Sequence, residues 1–158
     1  MATRPSTDTE VAEYAGQLFF RLWRASHTQV AEALESLGLT PALFGVLNVL
    51  GARAGAIQQE IGTAMAIDPS TMVSLIDQLE AAGLAERRPH PTDRRARAIA
   101  ITPKGRRVLE KGRQMSQQVE DDVLRGLTAA ERRQLITLLR RALGSAPPQS
   151  LWRAEEGD

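Results

Sequence analysis

The chain has 158 residues, of which 42% are hydrophobic, so it is long enough for one domain with a sizeable apolar core. It contains no cysteine, which excludes disulfides, thiolate metal ligands and cysteine nucleophiles. The formal net charge is only +1, and no apolar run reaches the length of a membrane span or a signal core, so a soluble, cytoplasmic protein is expected.

The N-terminal third of the chain predicts two helices. Residues 1–9 are polar and are expected to form a flexible tail. Apolar residues then recur at helical spacing from Glu10 to about Leu37, and Gly38 ends this first helix. Thr40 caps a second helix, from Pro41 to about Ala52, which is apolar nearly all round and is therefore expected to be buried.

The next segment predicts a helix-turn-helix. After Gly55, Ala56 and Ile57 a short helical piece is expected through about Met65, followed by a turn at Ala66 and Ile67. Asp68 then caps a helix that ends at Gly83. This helix has one apolar face with spacing i, i+3, i+4 and i+7, formed by Met72, Leu75, Ile76 and Leu79. A short supporting helix, a tight turn and such a second helix form the arrangement that reads a DNA major groove.

The outward polar side chains of this second helix are candidate DNA contacts. Hydroxyl and amide groups bond to phosphates or base edges, and the N-terminus of a helix favours a phosphate. The alternative interpretation is that the first two hydroxyl residues only complete the N-cap. The candidates are Ser70, Thr71, Ser74 and Gln78.

A basic hairpin is predicted after the helix-turn-helix. Two short strands, Leu84–Arg88 and Arg97–Ile101, flank a loop rich in proline and arginine. From Glu86 to Arg107 there are eight Lys or Arg and two acidic residues, a local balance of +6, so the rest of the chain is slightly acidic. Arginines at the tip of a hairpin can enter a narrow minor groove, where the potential is most negative. The alternative for such a cluster is a solvated charged surface.

Two more helices are predicted at the C-terminal end. Thr102 and Pro103 begin a long polar helix that reaches about Leu124, and a capping box from Thr128 to Glu131 begins the last one. Residues 145–158 are expected to form a flexible tail. The last helix has a narrow apolar stripe made of Leu135, Leu138, Leu139 and Leu143.

In these segments the chain resembles the MarR family of bacterial transcriptional regulators. The resemblance covers about Leu37 to Gly105 in detail and the flanking helices in pattern. The family's D-x-R wing pattern falls on Asp93 and Arg95. The matching sequences are LGLTPALFGVL from Leu37, DPSTMVSLIDQLEAAGL from Asp68, ERRPHPTDRRAR from Glu86 and ITPKG from Ile101.

The resemblance implies a mainly α fold in which residues 38–102 form a winged helix-turn-helix. Residues 10–37 and 103–144 are implied to form helices for dimerisation. The family relationship further implies a homodimer on double-stranded DNA with a pseudo-palindromic operator, usually a repressor that a small molecule releases.

By position, the resemblance also implies roles for the wing residues and for the helix before them. Arg95 is implied to enter the minor groove with Asp93 as its brace, while Arg94 and Arg97 contact phosphates. The polar residues of the helix are implied to line the major groove. The chain departs from many relatives because no arginine or lysine lies between Asp68 and Leu84. The wing is therefore expected to carry more of the DNA affinity.

The outer helices are expected to form the dimer, because their apolar stripes have no obvious partner in one protomer. The alternative is packing entirely within one protomer. In this family the effector cleft lies between the dimerisation helices and the DNA-binding lobe, so a small aromatic or phenolic effector is expected there. Ordinary core packing is the alternative for Phe19 and Trp23. The candidates by position are Phe19, Trp23, His27 and Phe44.

Two other classes of protein fit the sequence less well. An enzyme would need a convergent set of catalytic groups, but the two histidines lie in different elements and no catalytic motif or phosphate-binding glycine loop appears. No cofactor is expected, and a zinc site lacks both cysteines and paired histidines. A winged-helix module that binds protein instead of DNA is the remaining alternative, although it would not need a wing region with a balance of +6.

Overall fold

The computed structural model describes residues 14–90 and 96–144, in the order four helices, two strands and two helices that the sequence predicts. The predicted tails, 1–9 and 145–158, and the predicted start of the first helix at Glu10 lie outside the described residues. The elements are α1 (Ala15–Glu35), α2 (Pro41–Ala52), α3 (Gln58–Met65), α4 (Pro69–Ala81), β1 (Ala85–Pro89), β2 (Arg97–Ile101), α5 (Pro103–Val123) and α6 (Ala129–Gly144).

Polar caps followed by proline begin three of these helices, as predicted. The Thr40 side chain accepts a hydrogen bond from the Leu43 amide at 3.2 Å, and the Thr102 side chain accepts one from the Gly105 amide at 2.9 Å. Asp68 caps α4 in the same way. Each cap satisfies an amide that has no partner within its helix, and proline supplies the φ that the first turn needs.

The strands β1 and β2 form an antiparallel hairpin in which Ala85 pairs with Ile101 and Pro89 pairs with Arg97. Ile57 forms a further antiparallel bridge with Ala98, and the Ile99 amide donates to the Ala56 carbonyl at 2.9 Å. Helix α3 begins at Gln58 because the residues just before it pair with β2.

The core lies where α2, α3, α4 and the hairpin meet. The predicted apolar face of α4 is buried, with Met72 and Ile76 fully enclosed and Leu75 only 7% exposed. The expectation that α2 is buried is confirmed for Leu43 and Leu47, which are also in this core. Because α4 is held by a packed inner face, its outer face has a fixed orientation.

The start of α5 is joined to the end of α4. The Thr102 hydroxyl donates to the Gly83 carbonyl at 2.7 Å, and the Thr102 amide donates to the Leu84 carbonyl at 3.0 Å. Lys104 Nζ donates to the Ala82 carbonyl at 2.8 Å. These bonds satisfy carbonyl groups just after the C-terminal end of α4 and connect this helix directly to α5.

The outer helices leave large apolar side chains exposed. Helix α1 buries only Leu34, and α6 buries no residue. Phe19 and Trp23 are 52% and 53% exposed, so the interpretation of these two residues as protomer core is wrong. None of the described helices is both long and apolar enough to cross a bilayer. The other exposed apolar residues of the two helices are Leu18, Phe20, Ile136, Leu138 and Leu143.

Candidate nucleic-acid interface

Asp68 caps the N-terminus of α4, which is exposed to solvent. Its Oδ1 atom accepts hydrogen bonds from the amides of Ser70 and Thr71, each at 3.0 Å, and from the Ser70 hydroxyl. These bonds, those from the Ser70 and Thr71 side chains foremost, hold the pKa of Asp68 well below its usual range. Asp68 is therefore the N-cap residue, and the Ser70 hydroxyl takes part in the same cap.

The four residues predicted to line the major groove share the exposed face of α4. Gln78 Nε2 donates to the Ser74 carbonyl at 3.2 Å and to the Ser74 hydroxyl at 3.3 Å. This pair presents an amide oxygen and a hydroxyl together on the second and third turns of the helix. The face therefore offers hydrogen-bonding groups of both kinds for base edges or phosphates, without a formal positive charge.

Val73 is a residue on this face that the sequence interpretation missed. Its side chain is 40% exposed, whereas the other large apolar residues of α4 are buried. A β-branched apolar group on a groove-reading helix is the kind of group that contacts the methyl of thymine. The sequence indicates this exposure, because Val73 falls outside the i, i+3, i+4, i+7 spacing of the core face.

The acidic residues on the C-terminal half of α4 are paired with an arginine from the hairpin. Arg87 on β1 donates to Asp77 Oδ1 at 2.7 Å and forms a short ion pair with Glu80 Oε2. Burial alone lowers the pKa of Arg87, but the Asp77 hydrogen bond and the two carboxylate charges raise it above its ordinary value. Arg87 therefore stays charged and is held against α4.

The two sides of the hairpin remain hydrogen-bonded up to His90 and Ala96, the last described residues on each side. The His90 amide donates to the Ala96 carbonyl at 3.3 Å, and Arg97, a predicted phosphate contact, is exposed at the start of β2. The other predicted wing residues, Asp93, Arg94 and Arg95, lie outside the described residues.

An open depression of about 400 Å³ lies along α1. The Trp23 and His27 rings stack with centroids 4.9 Å apart, and the Phe20 ring lies 6.2 Å from Trp23. Arg24 and Thr28 complete the lining. The depression therefore combines aromatic rings with one guanidinium on a single helix.

Two of the four predicted effector residues do not line this depression. Phe19 lies outside it, and Phe44 packs instead against α5, where a Cβ added to Gly112 would lie 2.6 Å from the Phe44 ring. Phe44 therefore lies apart from Trp23 and His27 in the protomer, because a glycine on α5 makes room for its ring in the helix interface. Phe20, which the sequence interpretation did not include, lines the depression.

Among the described residues, no three His, Asp or Glu side chains are grouped so that they could hold a metal ion.

Comparison with known proteins places the chain among DNA-binding regulators. Residues 37–96 match the model of the MarR family. A protein of Thauera aromatica, whose name describes a transcriptional regulatory protein for the hcr operon, is 37% identical over 131 residues, covering 80% of this chain and 79% of that protein.

Two solved structures show the same fold. A MarR variant from E. coli complexed with operator DNA has a TM-score of 0.71 and 27% identity, with 81% of this chain and 92% of that chain covered. CouR from Rhodococcus jostii RHA1 bound to p-coumaroyl-CoA has a TM-score of 0.72 and 28% identity, with 85% and 94% covered. The winged-helix fold predicted from the sequence is thereby confirmed.

Proposed function

The chain belongs to the MarR family of transcriptional regulators, and we propose that it is a ligand-responsive dimeric repressor of a pseudo-palindromic operator. The observation that carries the proposal is the polar outer face of α4, exposed next to a hairpin that leads into an arginine-rich tip. In this proposal α4 lies in the major groove and Arg95 enters the adjacent minor groove. Arg94 and Arg97 contact phosphates, and Asp93 braces the tip.

The exposed apolar faces of α1 and α6 support the homodimer. Phe19 and Leu138 are each at least half exposed, and none of the described elements of the protomer covers these side chains. Large exposed apolar patches of this kind mark interaction surfaces. A twofold axis through these helices would present two copies of α4 to two half-sites of one operator.

Selection of bound sites from random DNA with the purified protein tests this proposal. We expect enrichment of an inverted repeat whose half-sites are about 34–36 Å apart, one turn of DNA. Light scattering of the free protein should give the mass of two chains of 17.3 kDa. An unrepeated motif, or no enrichment above bulk DNA, would contradict the dimeric regulator and favour a module that binds protein.

We also propose that the depression on α1 binds the effector, an aromatic or phenolic acid or its coenzyme A thioester. Its lining combines stacked aromatic rings with Arg24, and the similar regulator CouR has been solved with p-coumaroyl-CoA. A bound anion in this position would lie among dimerisation helices, whose arrangement sets the distance between the two recognition helices.

Replacing Trp23 with alanine is expected to weaken effector binding by about tenfold or more, because one stacking partner is lost. Isothermal titration with p-coumarate and p-coumaroyl-CoA in separate arms provides the measurement. Phe19→Ala is the matched control, since Phe19 is an equally exposed aromatic residue of α1 outside the depression. Equal losses in both variants, or no heat with either compound, would contradict the assignment of this site.

A further inference from the structure

Arg87 belongs by sequence to the basic wing region, but its contacts differ from those of a free wing cation. Its guanidinium bonds to Asp77 at 2.7 Å and to Glu80, and its amide donates to Glu80 Oε1 at 2.7 Å. The side chains of Arg87 and Glu80 are each 30% exposed. Both oxygens of the Glu80 carboxylate and two nitrogens of the guanidinium are thus engaged between β1 and α4.

We propose that Arg87 is a positioning residue that fixes the hairpin at one angle to α4, so that wing and recognition helix enter adjacent grooves together. The inference rests on the proposed DNA-binding function. It assigns Arg87 no contact with a DNA phosphate, although its position in a basic stretch would suggest one.

The geometry favours a fixed attachment over a fluctuating surface pair. An isolated exposed ion pair contributes little because two long side chains must be ordered for one weak contact. Here one guanidinium bridges two carboxylates seven and ten residues away, and the backbone amide of the same residue adds a bond to one of them. Several charge-assisted bonds between the same two elements restrict their relative rotation.

The charge of α4 supplies a second reason. The helix contains no Lys or Arg, so Asp77 and Glu80 would face the DNA phosphates uncompensated. Arg87 supplies the cation that offsets them from the neighbouring strand. A single side chain therefore both orients the wing and removes a repulsion next to the reading face.

The test measures operator affinity against salt concentration for the full-length protein and for Arg87→Met. We expect affinity to fall about tenfold or more because the wing loses its orientation. The slope of log K against log salt should stay unchanged because no phosphate contact is lost. A direct phosphate contact would instead make the slope shallower by about 0.9 for each of the two protomers. Arg133→Met, on exposed α6, is the control for net charge.

The double substitution Asp77→Ala with Glu80→Ala provides a second test, because the two interpretations of Arg87 predict changes of opposite sign in operator affinity. If Arg87 acted on phosphates, removing two acidic groups and releasing the arginine would raise affinity and steepen the salt slope. If Arg87 positions the hairpin, affinity falls even though negative charge is removed.

The outcomes separate the inference from the proposed function. If the wild-type protein binds its operator and both variants bind it equally well or better, the role of Arg87 is overturned and the proposed function is not. A shallower slope for Arg87→Met has the same consequence. Failure of the wild-type protein to bind any DNA overturns the proposed function and this inference with it. Thermal melting of each variant accompanies the titrations, and a variant that does not melt cooperatively is replaced by Arg87→Lys, which cannot bridge both carboxylates.

Discussion

Replacing Arg95 with alanine is expected to reduce operator affinity about a hundredfold or more while leaving folding and dimerisation unchanged. A well-placed arginine contact contributes about 1–3 kcal/mol, and a dimer loses two of them. The effect should be large in this protein because α4 carries no basic residue to compensate. The minor groove attracts a guanidinium most strongly where it is narrow, so the loss should also be greatest on operators with A·T-rich flanks.

Fluorescence anisotropy with the selected operator provides the measurement for Arg95→Ala. Arg106→Ala is the matched control, because Arg106 lies in the same basic region of the sequence but is exposed on α5. We expect the control to change affinity by less than about threefold, the effect of one distant charge. Similar losses in the two variants would show that net basic charge, and not the wing tip, determines affinity.

Gly105→Ala is expected to lower the stability of the protein by about 3 kcal/mol, a large fraction of the stability of a domain of this size. An added Cβ would lie 2.0 Å from the Leu84 carbonyl oxygen and 2.9 Å from Ile101 Cγ1. The carbonyl belongs to backbone that already accepts a bond from the Thr102 amide at 3.0 Å. Relief of the clash therefore requires α5 to move away from the end of α4.

Thermal unfolding at fixed protein concentration should show a decrease in Tm of roughly 10 °C for Gly105→Ala. Gly126→Ala is the matched control, since nothing lies within 4 Å of a Cβ at that position. It should leave the Tm nearly unchanged. A decrease of less than about 3 °C for Gly105→Ala would mean that the junction between α4 and α5 is more pliable than its contacts indicate.

Much of the fold could be predicted because its signals are local. The caps at Thr40, Asp68 and Thr102 predicted three helix starts, and the apolar spacing of α4 predicted its buried face. Hydrogen bonds of this kind join residues two or three positions apart, so they can be read directly from the sequence. The candidate site residues of α4 followed from the same periodicity.

Contacts between distant segments could not be predicted in this way. The sequence interpretation did not pair Ile57 with Ala98, because that partner lies in a strand that follows α4 in the chain. It grouped Phe44 with Trp23 by position, whereas Gly112 on α5 makes room for the Phe44 ring. The exposure of Trp23 likewise depends on which helices fail to cover it.

The sequence by itself determined the order of elements, the inward face of each central helix and the location of a basic wing. These properties depend on neighbours within a few residues. Only the tertiary structure decided which basic residue is neutralised by acidic neighbours. The sequence gives the number of charges in a region, whereas the pairing of charges depends on contacts between distant segments. In the sequence, Arg87 and Arg95 are both arginines of the basic wing region, and nothing local distinguishes their roles. The fold places Asp77 and Glu80 beside Arg87, and so commits that arginine to the protein itself.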